Sequence, residues 1–410
     1  MRRIDVAERR ARLGSRHRLA PQRKADDPIE VARSMVALHS TDAATVYLAA
    51  LARMRSASLD DIGAALYEQR SMVRVMGMRR TVFAVPVELM PVMVAACGQA
   101  VAARERARLL VQLADVTDGQ DVESWLELAE AAALAGLAVR GEARATELAG
   151  EDPRLDTELV MNVGKAYEGR QKVASRVLTV LAAEGRIVRS RPVGTWRSSQ
   201  YRWCLTERWI PEPQREWSTE QAQVELAWRW LASFGPATVE DFRWWSGLPA
   251  GAVKKAFAQL DLAEVDLDGT PGIVLADDLD PVPAEEPWVA LLPALDSTPM
   301  GWKHRDWYLG EHGPRLFDST GNVGPTIWCD GRIVGGWAQH KSGEIVLTLL
   351  EDVGSDTADA IATTAGELAE HVGAVRLAPR GRGLSGFEQE LSSQASVTTS
   401  TGTAGGSPAR

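Results

Sequence analysis

The chain has 410 residues, 45% of them hydrophobic and 25% charged, which is the composition of a globular protein with room for two to four domains. Its apolar runs are far shorter than the roughly 20 residues of a membrane-spanning helix, and its Arg-rich start has no apolar signal segment, so we expect a cytoplasmic protein without a membrane partner. The net charge of −9 at first argues against a nucleic-acid ligand. Three isolated cysteines exclude a disulfide framework and fit a reducing compartment.

The first predicted elements are two helices separated by a short polar stretch. Asp27 and Pro28 are typical of a helix start, and apolar residues at helical spacing predict a helix from about residue 28 through His39. Either Thr41 or Asp42 then caps a second helix. The sequence therefore places residues 39–42 at the junction of two helices.

A third helix and a β-hairpin complete the first unit. Ser58 and Asp61 form a capping-box pair for a helix over residues 60–69. Residues 71–86 (SMVRVMGMRRTVFAVP) are rich in β-branched residues and Met around a central Gly77, which predicts a hairpin. Helices followed by a hairpin are typical of a winged helix.

The same order of elements returns twice. At 169–204 an amphipathic helix precedes two basic strands around the turn PVG. At 218–282 a helix capped by Thr238 and Asp241, a turn at Gly247 and a second helix precede two strands with several acidic residues. Because these acids repel phosphates, we interpret the third unit as scaffold.

From about residue 287 the pattern changes to strands. The segments LLPALD, PTIWCDGRIVGGW and EIVLTLL are predicted strands, with Asp330-Gly331 as a hairpin turn, and a helix is predicted over 357–371. The sequence thus predicts an α+β fold with three tandem winged-helix modules followed by a C-terminal β-rich domain. The predicted boundaries are 1–112, 113–212 and 213–284 for the three modules, 285–391 for the β-rich domain and 392–410 for a disordered tail.

Charge is strongly segregated along the chain. Residues 1–24 contain nine Arg or Lys and two acids, residues 170–208 again contain nine and two, and residues 256–286 contain nine acids and no Arg or Lys. Such segregation predicts a local positive surface that binds DNA phosphates in spite of the acidic total. Ordinary solvated faces are the alternative interpretation.

The common sequence motifs of enzymes with a cofactor are absent. The chain has no P-loop, no HExxH, no paired CxxC, no GxSxG and no dinucleotide-binding fingerprint. We therefore predict neither a cofactor nor a metal ion.

Five segments in order carry a resemblance to a known family. They are ALHSTDAATVYLAALARM, MGMRRTVFAVP, FGPATVEDFRWWSGL, LLPALD and GNVGPTIWCDGRIVGGW. Over roughly residues 5 to 390 the chain resembles the winged-helix DNA-binding family that includes the AlkZ-like and YcaQ-like DNA glycosylases. The resemblance implies three winged helices around a DNA-holding cleft and the excision of bulky alkylated purines or the unhooking of interstrand crosslinks.

The resemblance also implies an active-site triplet, Gln-x-Gln or Gln-x-Asp, just after the first long helix. His39-Ser40-Thr41 stands in that place, followed by Asp42, so the chain departs from the pattern at both signature positions. His39 would hold the attacking water or act as base, Thr41 would contribute a hydroxyl, and Asp42 would stabilise the sugar cation. The alternatives are a core histidine and helix N-caps.

Basic residues of the second unit are the candidates for DNA contact. At the predicted helix start the basic residues are Arg170, Lys172 and Arg176, to which Ser175 adds a hydroxyl, and on the hairpin they are Arg191, Arg197 and Arg202. The family resemblance adds Arg53, Arg79, Arg80 and Thr81 near the cleft, and the pair Asp296 and Arg305 facing it. A helix salt bridge for Arg53 and a strand-end ion pair for Asp296 and Arg305 stay open as alternatives.

Three functions are compatible with these features. The first is a monofunctional glycosylase that acts on alkylated or crosslinked double-stranded DNA as a monomer. The second is a catalytically inactive winged-helix DNA-binding or regulatory protein. The third is an interaction scaffold whose basic hairpin contacts RNA or a protein partner.

Overall fold

Helices and antiparallel hairpins alternate along the computed structural model, which describes residues 1–56, 58–161, 164–165, 168–377 and 384–393. This mixture confirms the predicted α+β class. The longer helices, α1 to α12 in chain order, span Val6–Arg16, Pro28–Ser34, Ala43–Leu51, Leu59–Tyr67, Gln99–Leu113, Val122–Arg140, Val173–Ala183, Thr219–Phe234, Val239–Ser246, Ala250–Phe257, Ser355–Val372 and Gly386–Ser393. The strands β1 to β15 span Arg2–Arg3, Leu38–His39, Met72–Met76, Val82–Pro86, Glu142–Ala143, Glu158–Met161, Gly169–Lys172, Ile187–Pro192, Tyr201–Leu205, Leu262–Leu267, Thr270–Leu275, Val289–Leu292, Thr326–Cys329, Arg332–Gln339 and Ile345–Leu349.

The first helix is shorter than the sequence predicted. Helix α2 ends at Ser34, and Val36 takes a left-handed backbone conformation with φ of 61° that turns the chain. Leu38 and His39 then form β2, paired with Ala84 and Phe83 of β4. The expectation of a helical His39 is therefore wrong, because strand pairing takes over where the apolar spacing still fitted a helix.

The first two predicted hairpins join into one sheet. Strands β3 and β4 pair antiparallel, as do β8 and β9, and Arg74 of β3 is the register partner of Arg189 of β8. The resulting sheet has six strands in the order β2-β4-β3-β8-β9-β5. Residues 39–42 therefore lie at one edge of a sheet that spans the first two predicted modules, whose division at residue 112 stays a prediction.

The third hairpin carries the acidic residues and binds the N-terminal arginines. Strand β1 runs parallel to β10, and Arg3 contacts Asp268 at 2.8 Å. Arg12 and Arg16 contact Asp278 at 2.8 and 2.5 Å. The N-terminal cluster therefore does not form the free positive surface that charge segregation predicted, because it neutralises the acidic segment.

The C-terminal strands form a four-stranded antiparallel sheet in the order β12-β13-β14-β15. Asp330 and Gly331 make the predicted turn with φ of 46° and 82°. The predicted helix over 357–371 is α11. Helix α12 includes residues 392 and 393, which were predicted as tail, and residues 394–410 lie outside the described part of the chain.

The buried residues form a core that is continuous between the units. Its largest hydrophobic cluster extends from Tyr47 of α3 through Trp230 and Phe234 of α8 to Trp328 of the C-terminal sheet. Among the described residues, one helical stretch, Val87–Leu113, is long and apolar enough to cross a membrane, but 56% of its most apolar 18-residue window is buried inside the protein. All three cysteines are buried with free thiols.

Candidate active site and nucleic-acid interface

His39 lies at the end of β2 as a neutral, partly buried imidazole. Its ring packs edge-on against Phe83, with 5.5 Å between centroids. Burial, and to a smaller extent the positive charge of Arg79, lower the pKa of His39 to about 3. The imidazole is therefore uncharged at neutral pH and serves as a hydrogen-bonding group.

The neighbouring backbone selects the tautomer of this histidine. The Thr41 N–H donates to Nδ1 of His39 at 3.4 Å. Because Nδ1 accepts, the proton of the neutral ring lies on Nε2. His39 and Thr41, the two signature positions of the triplet, are thus in direct contact, and the ring presents an N–H donor.

Asp42 is the N-cap of α3, one of the two caps that the sequence predicted. Its carboxylate accepts from the Ala44 N–H at 3.1 Å at the start of α3, and the residue is 8% exposed. Thr41 is partly buried and precedes this cap. N-capping therefore explains why an aspartate stands at position 42, but it does not explain the threonine at position 41.

Ser40, the middle residue of the triplet, is held by a buried arginine. Its N–H donates to the Val82 carbonyl at 2.8 Å, and its hydroxyl accepts from Nε of Arg74 at 2.8 Å. The Arg74 guanidinium packs against the rings of Tyr67 and Tyr201 at 5.4 and 5.1 Å. Sequence reasoning missed Arg74, although a charged residue in the centre of the apolar strand MVRVM was a usable signal.

The loop after β12 supports the triplet from the other side. Ser297 accepts from the His39 N–H at 3.3 Å and donates to the Ala37 carbonyl at 2.7 Å. Thr45 donates to the Ala294 carbonyl at 2.9 Å. The segment LLPALD thus leads into a loop that braces the triplet.

Two arginines approach the ring of one tryptophan, and one of them, Arg79, lies close enough to His39 to act on its pKa. Arg79 and Arg305 approach the Trp244 ring at 4.5 and 4.7 Å. Burial and the charge of Arg305 lower the pKa of Arg79. The structure therefore brings two of the predicted DNA contacts together, and Thr81 follows at the same hairpin turn, partly buried.

Three of the predicted DNA contacts are buried ion-pair partners instead. Arg53 and Asp296 are both fully buried and bind each other, so the pair of Asp296 with Arg305 is wrong and neither Arg53 nor Asp296 reaches a phosphate. Arg176 is 7% exposed and donates to Glu105 at 3.1 Å. Burial keeps each of these three residues away from the surface at which a phosphate could bind.

Arg170 and Lys172 lie on β7, and Lys172 is also the N-cap of α7, which begins at Val173. Arg170 contacts Glu158 at 2.9 Å, and Lys172 contacts Asp156. Ser175 follows on the first turn of α7, partly buried. Phosphates would have to compete with these carboxylates.

The three arginines of the second hairpin are partly or fully exposed at its surface. Arg191 lies 3.8 Å from Glu68, Arg197 donates to the Arg376 carbonyl at 2.7 Å, and Arg202 lies 3.5 Å from Glu147. Within the described ranges no three His, Cys, Asp or Glu side chains are arranged to hold a metal ion.

Comparisons with known proteins agree on one family. A model of the family "DNA glycosylase AlkZ-like" matches residues 32–371. A relative named "Interstrand DNA cross-link repair glycosylase", from Streptomyces sahachiroi, is 28% identical over 180 residues, which are 42% of this chain and 47% of that protein. The match thus spans about half the length of this relative.

A solved structure adds the fold. The Streptomyces sahachiroi DNA glycosylase AlkZ is similar with a TM-score of 0.69 and 18% sequence identity, over 92% of this chain and 98% of that one. The family model covers most of the chain. This chain therefore belongs to the AlkZ-like DNA glycosylase family.

Proposed function

We propose that this protein is a monofunctional DNA glycosylase that hydrolyses the N-glycosidic bond of alkylated or crosslinked purines in duplex DNA. The observation that carries the proposal is the contact between His39 and Thr41, because both signature positions of the family triplet meet in one hydrogen bond at the edge of the sheet. Arg79 and Arg305 lie nearby and supply positive charge for phosphates.

A neutral histidine fits the chemistry of this leaving group. An N7-alkylated purine carries a positive charge, and its departure leaves an oxocarbenium-like sugar. A second cation beside that sugar would oppose the reaction, whereas an uncharged imidazole does not. Burial of His39 therefore favours the transition state electrostatically.

The proposed step needs one water and no cofactor. Nε2–H of His39 donates to the water oxygen and the Thr41 hydroxyl accepts one of its protons, which orients a lone pair toward C1′. As the water oxygen bonds to C1′, the glycosidic electron pair leaves with the purine and cancels its charge. The proton of the water passes to solvent, and the Asp42 carboxylate stabilises the sugar cation.

The departure of the triplet from glutamine favours a second candidate, a lesion-binding protein without catalysis. Purified protein incubated with duplexes that carry N7-methylguanine, or a bulky N7 adduct, separates the two. We expect release of the modified base and strands that break on heating at the abasic site. Tight binding of every adduct without base release would show that the protein is a binder and overturn the proposal.

A further inference from the structure

A basic cleft lies between helix α5 and the turn that joins α9 to α10. It measures about 490 Å³. Its charged lining residues are Arg79, Arg80, Arg104, Arg108 and Glu105. Four guanidinium groups against one carboxylate give the cleft a net positive charge.

The single carboxylate of the cleft, that of Glu105, already forms ion pairs with three arginines. Glu105 is 1% exposed and lies 3.1 Å from each of three guanidinium groups, those of Arg80, Arg108 and Arg176. One buried negative charge cannot neutralise three positive ones. Glu105 therefore holds the arginines in place and leaves positive charge for an anion from outside.

The two arginines of α5 present that charge to the cleft. Arg104 and Arg108 are exposed and lie four residues apart, so they stand one above the other on the same helix face, separated by about 6 Å along the axis. Nε of Arg104 donates to the Ala100 carbonyl, which uses one of its five donors. Arg104 is exposed, and among the described residues its guanidinium has no ion-pair partner.

The opposite side of the cleft holds its arginines in an unusual backbone. Arg79 and Arg80 have φ of 52° and 63°, a left-handed conformation that glycine or asparagine adopts far more readily. The Arg79 side chain also packs against Gly247, where the Cβ of any larger residue would lie 2.8 Å from Cγ of Arg79. Two consecutive arginines in this conformation point to a function for their side chains.

The uncharged residues that line the cleft are mostly small or apolar, among them Ala96, Ala100 and Val101. Guanidinium groups around such a groove match phosphate oxygens, to which arginine donates two parallel hydrogen bonds.

We propose that this cleft binds the phosphodiester backbone of duplex DNA beside the lesion, with Arg104 and Arg108 as phosphate contacts and Glu105 as the residue that positions the arginines. The inference rests on the proposed function, since it takes DNA as the substrate. It adds to the interface helix α5, which contains none of the residues predicted from the sequence to contact DNA.

Binding of a short fluorescent undamaged duplex to the full-length protein tests the site separately from catalysis. The variant is Arg104→Gln/Arg108→Gln, and Arg33→Gln is the matched control, because Arg33 is an exposed, ion-paired helical arginine outside the cleft. Affinity is measured from about 50 to 300 mM NaCl. Loss of two phosphate contacts should lower the salt slope by about 2 and the affinity at 0.1 M NaCl roughly 60-fold, with wild-type behaviour for Arg33→Gln.

Two further arms identify the ligand. The charge-conserving Arg104→Lys/Arg108→Lys should restore most of the salt slope. A duplex affinity and slope unchanged in the double Gln variant would overturn the site, as would a loss seen only with duplex RNA or only with inorganic phosphate. Base release by the wild type is measured in parallel, so a failure of catalysis remains distinguishable from a failure of this site.

Discussion

Arg53 and Asp296 form a fully buried, two-pronged ion pair, in which both terminal guanidinium nitrogens bind the carboxylate at 2.8 and 2.7 Å. The same guanidinium donates to the Ala49 carbonyl and to Thr298. The pair joins the end of α3 to the loop after β12, the loop that also braces His39.

Removal of one partner should therefore destabilise the protein strongly. Asp296→Ala leaves the Arg53 charge buried without its carboxylate, and we expect the free energy of unfolding to fall by about 3 kcal/mol or more. Urea unfolding followed by tryptophan fluorescence measures the change. Asp26→Ala, which removes an exposed pair with Arg55, should change stability by less than about 0.5 kcal/mol. Equal effects of the two variants would contradict this interpretation.

Arg12 should contribute to the stability of the fold and should not contribute to DNA binding. It is 1% exposed and contacts Glu8 and Asp278, both at 2.8 Å. Arg12→Gln should lower the free energy of unfolding by about 3 kcal/mol and leave the salt slope of duplex binding at the wild-type value. A smaller slope in this variant would show that the N-terminal segment binds phosphates after all.

His39 should make stability sensitive to acid. Its pKa is about 3 in the folded protein, against 6.5 as the ordinary value. Between these values only the unfolded chain binds the proton, so the free energy of unfolding falls by about 1.4 kcal/mol per pH unit as the pH decreases below 6.5. Above pH 6.5 neither state is protonated, and the contribution is constant.

His39→Gln should remove this part of the pH dependence. Thermal or urea unfolding between about pH 4 and pH 8 measures the slope. His371→Gln serves as the control, because His371 is exposed on α11. The same slope in His39→Gln and in the wild type would mean that the folded protein protonates this ring.

Arg74 should affect the reaction rate through Ser40. Arg74→Met keeps a long aliphatic stem in the sheet but removes the guanidinium and its bond to the Ser40 hydroxyl. We therefore expect the triplet to shift and kcat for base excision to fall about 100-fold, with a small change in KM. Arg189→Met is the matched control, since Arg189 is the register partner of Arg74 and packs on Tyr201 and Trp203. A comparable loss of kcat in both variants would show that Arg74 only stabilises the sheet and does not position the triplet.

Local signals predicted much of the fold. Capping pairs such as Ser58 with Asp61 and Thr238 with Asp241 located helix starts, and both pairs form capping boxes. Asp330-Gly331 located a hairpin turn. These signals are short-range, so one sequence is enough to read them.

The candidate site depended on long-range pairing, which local patterns do not contain. The apolar spacing up to His39 fitted a helix. In the structure His39 belongs to a strand, because it pairs with Phe83 of β4, which lies 44 positions later in the chain. The arginine at position 176 fitted an outer helix face, yet Glu105 draws it inward. Exposure and partner choice of charged residues are decided by the tertiary fold.

The most direct test of the account is the single-turnover rate of base release from a duplex with one N7-methylguanine, compared among the wild type, His39→Gln and His39→Ala. A neutral hydrogen-bonding group at position 39 is the central claim. We expect the glutamine variant to retain most of the rate and the alanine variant to lose about 100-fold with unchanged duplex affinity. Excision by His39→Ala at the wild-type rate would contradict the account.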